Sequence, residues 1–319
     1  MAWYYIVLII LFAHIFFFLV GLLCIYTFVF HSPSKAQNNF YNIPKDEQFQ
    51  SQKKNMTALI DWLLAQPYES VCIPSYDGLN LKGRYYHHAD NAPLVIGFHG
   101  YRGTAIRDMV GLSKICDKQK WNMLIVDQRA HGESDGATIT FGIKERHDCL
   151  AWANYASQRF GKSTPIFLCG VSMGGATVLM SAALPLPKNV CGLLVDCPYA
   201  APEEIIRKVC KDRHIWDKAA YPIIWLSAKL LGGFSLTEAS AEEAVKNCHL
   251  PILMLHGKAD RLIPCATSER MAANHPHVRL HTFEDAGHGL SGILHNERYC
   301  QIAVTFVDEQ IEKFKTPQA

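Results

Sequence analysis

The stretch Ile166-Phe167-Leu168-Cys169-Gly170-Val171-Ser172-Met173-Gly174 decides how this chain of 319 residues is read. Ile166 to Cys169 is a short apolar run of the kind found in strands covered on both faces, and residues 173–184 beyond it have helical spacing. Between them Gly170 to Gly174 fits Gly-x-Ser-x-Gly. A sharp strand-to-helix turn forces the serine into a strained backbone conformation with its hydroxyl exposed, and the close approach of neighbouring chain excludes side chains at the flanking glycines. The positive end of the following helix favours negative charge that develops beside it. Ser172 is therefore the candidate nucleophile.

Working outward, short apolar runs recur at Leu94 to Phe98, Met123 to Val126, Cys191 to Val195, Ile252 to Leu255 and Val278 to Phe283. Segments with helical spacing lie between and after them at 105–119, 144–160, 265–274 and 296–314. Extended stretches at 70–75 and 79–87, separated by Tyr76-Asp77-Gly78, read as an antiparallel hairpin. The alternation predicts an α/β fold, a mostly parallel doubly wound sheet with helices on both faces. Residues 198–246 are too long for a simple crossover. They carry Tyr221-Pro222-Ile223-Ile224-Trp225-Leu226 and Phe234, which suits a helical cap or lid facing substrate, or else an ordinary pair of surface helices.

A serine hydroxyl needs a base to take its proton and a third group to orient that base. Those partners should follow in the order acid, then histidine. Asp260, in His256-Gly257-Lys258-Ala259-Asp260, comes just after one strand run, and His288, in Ala286-Gly287-His288-Gly289, just after the last. Both fall at carboxyl ends of strands, where α/β sites assemble. Asp196 is the rival acid because it also ends a strand. The oxyanion of an acyl-transfer intermediate needs prebuilt donors, and the backbone N–H groups of Met173 and Tyr101 are the candidates. His99 reads as a residue that holds its loop. In Asp127-Gln128-Arg129-Ala130-His131-Gly132-Glu133-Ser134 an internal Asp-Arg pair is expected to fix the turn.

Taken together, the His99-Gly100 pair, the 127–134 loop, the Ser172 elbow, the Asp260 loop and the His288 loop resemble the α/β-hydrolase superfamily over about residues 56–315. The likeness is nearest to bacterial prolyl-oligopeptidase-like and serine-aminopeptidase-like hydrolases with an N-terminal membrane span. That resemblance implies Ser172 as nucleophile, His288 as base and Asp260 as acid, with no metal or organic cofactor. It does not carry a substrate with it, since the fold hosts esterases, lipases, thioesterases, peptidases and noncatalytic members.

The composition adds where the protein works. Hydrophobic residues make up 49% and the formal charge is +2, which excludes a disordered chain and argues against a nucleic-acid binder. The average hides an asymmetry. Met1 to Phe30 holds no Asp, Glu, Lys or Arg, so the 31 basic and 29 acidic residues all lie beyond it. Trp3 to Phe30 is interrupted only by His14, Gly21 and Thr27, and as a helix spans roughly 40 Å, enough to cross a bilayer with tilt. The segment 1–31 is read as an uncleaved single-pass anchor, with Tyr4, Tyr5 and Tyr26 as interfacial aromatics. A signal peptide is the rival, supported by the triplet Ser34-Lys35-Ala36 and opposed by the missing basic start and the double-length apolar run. Lys35, Lys45, Lys53 and Lys54 follow the span, so the positive-inside rule puts the body on the cytoplasmic side. Residues 32–55, with Pro33 and Pro44, suit a tether, and 56–319 forms the domain. The odd count of 11 cysteines, without CxxC or a Cys/His metal spacing, reads as reduced thiols, mostly buried.

The leading expectation is a membrane-anchored serine hydrolase that cleaves carboxylic esters, its partner a small-molecule or lipid-like acyl ester. A serine aminopeptidase acting on short peptides and a noncatalytic membrane-tethered binding domain are the alternatives. Acyl-chain length and oligomeric state are not written in the sequence.

Overall fold

The computed structural model describes residues 2–32 and 39–316. The triplet Ser34-Lys35-Ala36, with the Lys35 used to orient the span and the Pro33 of the tether, lies outside the described residues. Eight strands form one sheet in the order β1-β2-β4-β3-β5-β6-β7-β8. They are β1 (Glu69–Pro74), β2 (Asn80–Tyr86), β3 (Leu94–Phe98), β4 (Asn122–Asp127), β5 (Ile166–Val171), β6 (Val190–Asp196), β7 (Ile252–Gly257) and β8 (Val278–Phe283). β2 pairs antiparallel with β1 and β4, and every other pairing is parallel. The hairpin turn is built by residues suited to it: Gly78 takes φ +88°, and Ser75 Oγ bonds both Asp77 Oδ1 and the Leu79 N–H.

Alternation along each strand splits the core in two. In β4, Leu124 and Val126 face one side with Ile96, Phe98, Leu168 and Val195, while Met123 and Ile125 face the other with Val95, Phe167 and Leu194. The chain begins with α1 (Ala2–Val29), followed by α2 (Glu47–Ser51), α3 (Lys53–Leu64) and α4 (Ala105–Gln119). α5 (Glu145–Phe160) and α6 (Met173–Ser181) flank β5, and the expected cap comprises α7 (Pro202–Asp212), α8 (Asp217–Leu231) and α9 (Ala241–Lys246). α10 (Ala266–Ala272), α11 (Ser291–Leu294) and α12 (Asn296–Lys315) complete the fold. Helices α3, α4 and α12 cover one face of the sheet; α5 to α10 contribute to the core on the other. Local chemistry sets the ends of these helices. Thr104 caps α4 by accepting from the Arg107 N–H at 3.1 Å, and Lys120 closes it in a left-handed conformation.

α1 is long and apolar enough to cross a membrane, and most of its large side chains, Trp3 to Val20, are exposed on every side. Its last turns behave differently. Leu22 and Phe30 are buried, the Phe30 ring packing edge-on to Phe141 and Phe234, and the Tyr26 hydroxyl bonds Thr138 Oγ1. Tyr26 thus docks on the domain rather than standing as a free interfacial aromatic. The carbonyls that end the helix are capped by the domain: Tyr101 Oη donates to the Val29 carbonyl at 2.7 Å, and Arg102 donates to those of Phe28 and His31. A cation is what a helix C-terminus favours.

The segment expected to be a tether also differs. It carries α2 and the start of α3, so the proposed boundary at residue 56 falls inside a helix whose Met56, Ile60 and Leu63 are buried. Its polar composition conceals this, because α2 is held by side-chain hydrogen bonds rather than by an apolar face. All eleven cysteines are free.

Candidate active site

Four loops at the carboxyl ends of parallel strands build the site: those after β3, β5, β7 and β8. Ser172 sits between β5 and α6 at φ +56°, ψ −119°, a backbone region that side chains rarely occupy. The two motif glycines are enforced by contact. A Cβ on Gly170 would lie 2.3 Å from the Gly174 carbonyl, and one on Gly174 would lie 2.0 Å from the Phe98 carbonyl oxygen. The elbow can therefore turn this tightly only because both positions lack side chains.

Ser172, His288 and Asp260, separated by up to 116 residues, come into line. His288 Nε2 is 2.9 Å from Ser172 Oγ, and His288 Nδ1 is 2.7 Å from Asp260 Oδ2. The carboxylate accepts at Oδ1 from the N–H groups of Leu262 and Ile263, both at 2.8 Å. Burial alone would raise the Asp260 pKa, but hydrogen bonds from His256 and His288 and the charge of His288 outweigh it, holding the carboxyl well below the usual range. An ionised Asp260 accepts the Nδ1–H of His288, leaving Nε2 to accept from the serine hydroxyl. Asp196, the rival acid, does not contact the imidazole. It ends β6, its main-chain carbonyl accepts the Ser172 N–H at 2.9 Å, and its side chain is buried beside the site.

On the candidate oxyanion donors, the N–H of Met173 is the first of α6 and has no carbonyl within that helix to bond. Among the described residues neither it nor the Tyr101 N–H donates to any group. The β3 loop lies against the elbow, since a Cβ on Gly100 would be 3.5 Å from the Ser172 Cβ. Half-buried Asp108 on α4 holds that loop by accepting from the Gly100 N–H at 3.0 Å. Burial pushes its pKa up, but the charge and hydrogen bond of Arg107 bring it below the ordinary value. His99 has the structural part expected of it: Nδ1–H donates to the Gly100 carbonyl and Nε2 accepts from the Gln128 N–H.

The 127–134 loop is fixed in another way than an internal Asp-Arg pair. Arg129 reaches out of it to Asp148 at 2.6 Å and Asp77 at 2.8 Å, while Asp127 folds beneath Gly132 and accepts from the Glu133 N–H. A Cβ on Gly132 would lie 2.2 Å from the Asp127 carboxylate, so the turn itself holds the acid and keeps it from Arg129.

Sequence reasoning gave no part to His256 or Gln48. His256 is wholly buried, 3.4 Å from Asp260 Oδ2, with Nδ1 on Ser268 Oγ and Nε2 donating to the Ile263 carbonyl. It is four residues from Asp260, a spacing that was the available signal. Gln48 on α2 donates to the Asp285 carbonyl at 2.9 Å and accepts from the Gly287 N–H at 2.8 Å, clamping the loop that carries His288. No local pattern announces that contact.

A cavity of about 630 Å³ opens at Ser172 and His288, lined by apolar side chains including Met109, Val110, Ile115 and Ile293, with Asp46 and Glu47 of the N-terminal segment at its edge. No residue from 198–246 lines it. Pro44, Asp46 to Phe49 and Met56 of the N-terminal segment line it instead, while α8 of the insertion packs on α1. Donor atoms of Cys197, Asp260 and His288 lie within 4.8 Å of one another. They do not suit a cation, since burial raises the Cys197 thiol far above its ordinary pKa and N–H groups already occupy both Asp260 oxygens.

This strand order, with an elbow serine after the fifth strand, defines the class by its fold: the chain has the α/β-hydrolase fold. A family model described as "Serine aminopeptidase, S33" matches residues 89–231. The Bacillus subtilis (strain 168) protein YqkD is 26% identical over 238 residues, 74% of this chain and 78% of that protein. Among solved structures, the Pyrococcus furiosus esterase Pf2001 is similar with a TM-score of 0.65 at 21% identity, over 78% of this chain and 93% of that one. Est1E from Butyrivibrio proteoclasticus is similar with a TM-score of 0.58 at 22% identity, over 76% and 99%. The findings support a hydrolase.

Proposed function

We propose that the protein is a membrane-anchored serine hydrolase that cleaves carboxylic esters through an acyl-enzyme. The observation that carries this reading is the hydrogen-bonded line Ser172 Oγ, His288 Nε2, His288 Nδ1, Asp260 Oδ2 at the mouth of an apolar cavity. Ser172 Oγ attacks the carbonyl carbon as His288 takes its proton, and the oxyanion that forms is met by the N–H groups of Tyr101 and Met173. Each such donor is worth roughly 3 to 4 kcal/mol. Collapse breaks the ester bond, His288 returns the proton to the leaving alcohol, and the acyl group stays on Ser172. Water, deprotonated by the same imidazole, then releases the acid. Asp260 holds the imidazole in the required tautomer and stabilises its charged form.

The apolar lining suits an acyl chain, and the esterase neighbours support an ester. α1 supplies the anchor, and the basic residues that follow it support a cytoplasmic domain. Hydrolysis of a series of nitrophenyl acyl esters by wild type and Ser172→Ala, with labelling by a fluorophosphonate, tests the reading. Equal hydrolysis or equal labelling in the variant refutes it.

The family description favours a second reading, a peptidase acting on short peptides by the same triad. Acids Asp46 and Glu47 at the cavity edge would suit a substrate's amino terminus. Aminoacyl amides cleaved faster than esters of the same acyl group would establish it.

A further inference from the structure

Outside α1, large apolar side chains are exposed in few places, and they cluster. Ile215, Trp216, Ile223, Leu230 and Leu231 belong to α8 or the two residues before it, whereas Tyr41, Tyr68, Tyr76 and Leu262 stand apart elsewhere. Ile223 and Leu230 are two helical turns apart on one side of α8, continuing from Trp216 at its start; Tyr221, Ile224 and Ala228 are buried on the other side. Trp216 is 72% exposed, an unusual position for the largest apolar side chain.

α8 is the helix that packs on α1. Trp3 to Leu22 rises about 30 Å as a helix, the thickness of a bilayer's hydrocarbon core. Leu22 is where the domain begins to bury α1, so a span that ends there would bring α8 level with the membrane surface. The charges around it fit that height. Lys218 and Lys229 are exposed on α8, Lys229 Nζ lies 5.0 Å from the Trp225 ring, and Arg213 lies 5.6 Å over Phe28 of α1. The nearby acids are engaged, Asp212 with Lys208 and Asp217 with Arg207.

We infer that α8 lies in the interfacial layer of the bilayer, with Trp216, Ile223 and Leu230 among the upper acyl carbons and Lys218 and Lys229 at the headgroup phosphates. The inference rests on reading α1 as a membrane span. The domain is then held at two places, and the cavity keeps a fixed height above the lipid.

The test uses the full chain in vesicles of phosphatidylcholine and phosphatidylglycerol, with Trp216→Phe as partner, so that the difference in emission isolates Trp216 from the other five tryptophans. Phosphatidylcholine brominated on upper acyl carbons should quench that difference at least twofold, and aqueous acrylamide should leave it nearly unchanged. If the chain stays in the vesicles after an alkaline wash but acrylamide quenches Trp216 and bromolipid does not, this proposal fails while the anchor stands. Shielding from both quenchers shows a second copy on the stripe and also overturns it. Release of the chain by the wash overturns the anchor reading and this proposal with it. Moving the reporter, by Ile223→Trp in the Trp216→Phe background, should give the same quenching.

Discussion

Replacing Asp196 by Asn should make the protein more stable, and by an amount that grows with pH. The side chain is 4% exposed, and its Oδ1 has no hydrogen-bond partner. Burial, the largest cause, raises its pKa from 3.8 to about 6 against the opposing charges of His256 and His288. A raised folded pKa means that the folded state holds the proton more tightly than the unfolded chain does. Stability from this group is therefore complete below about pH 4 and is lost as pH climbs through 6. Two pKa units at 1.36 kcal/mol each put the loss at about 3 kcal/mol on the alkaline side. Asn, the neutral isostere of the protonated acid, removes the gradient. The advantage of the variant should widen by roughly 2 kcal/mol between pH 4 and pH 7, about 5 °C in Tm at the few degrees per kcal/mol expected for a domain of this size. Thermal unfolding of both proteins in detergent across that range measures it. A difference that stays constant with pH, or an Asn variant less stable at pH 7, would refute the argument.

Asp260→Asn should leave the fold intact but lower kcat by about four orders of magnitude, because the amide favours the wrong tautomer of His288; steady-state ester hydrolysis reads this. Gly174→Ala forces a Cβ to 2.0 Å from the Phe98 carbonyl, so the elbow must open; loss of more than about 3 kcal/mol is expected, seen as a collapse in folded yield. Gln48→Ala removes both bonds to the His288 loop, each worth about 1 kcal/mol, and should lower Tm by up to about 5 °C and kcat/KM several-fold. Gln48→Glu keeps an acceptor for the Gly287 N–H but no donor for the Asp285 carbonyl, and should recover part of the activity.

The strands and the elbow were legible in the sequence because their causes are local. A strand covered on both faces must be a short apolar run, and β3 and β8 begin and end where those runs do. The Ser172 turn admits only Gly at positions 170 and 174, so it writes itself as a motif. Asp260 and His288 could be nominated because each follows a strand, although their approach to within hydrogen-bonding distance of one another depends on the parallel pairing of β7 and β8.

Other features had no local signature. Arg129 was matched to the acid nearest in sequence, yet its partners are 19 and 52 residues away, since what a buried guanidinium pairs with is set by which elements meet around it. The apolar insertion at 198–246 reads as a lid or as ordinary surface helices, and the polar stretch at 32–55 as a tether, yet Pro44 and Asp46 to Phe49 of that stretch line the cavity. Hydropathy shows how much apolar surface a segment has and not which neighbour covers it. By itself the sequence determined the strands, the elbow and which residues are candidates for nucleophile, acid and base, each marked by its place just after an apolar run. Only the tertiary structure decided that Gln48 would reach Gly287 across 239 positions and that α8 would lie along α1, because such contacts are chosen by the packing of the whole chain.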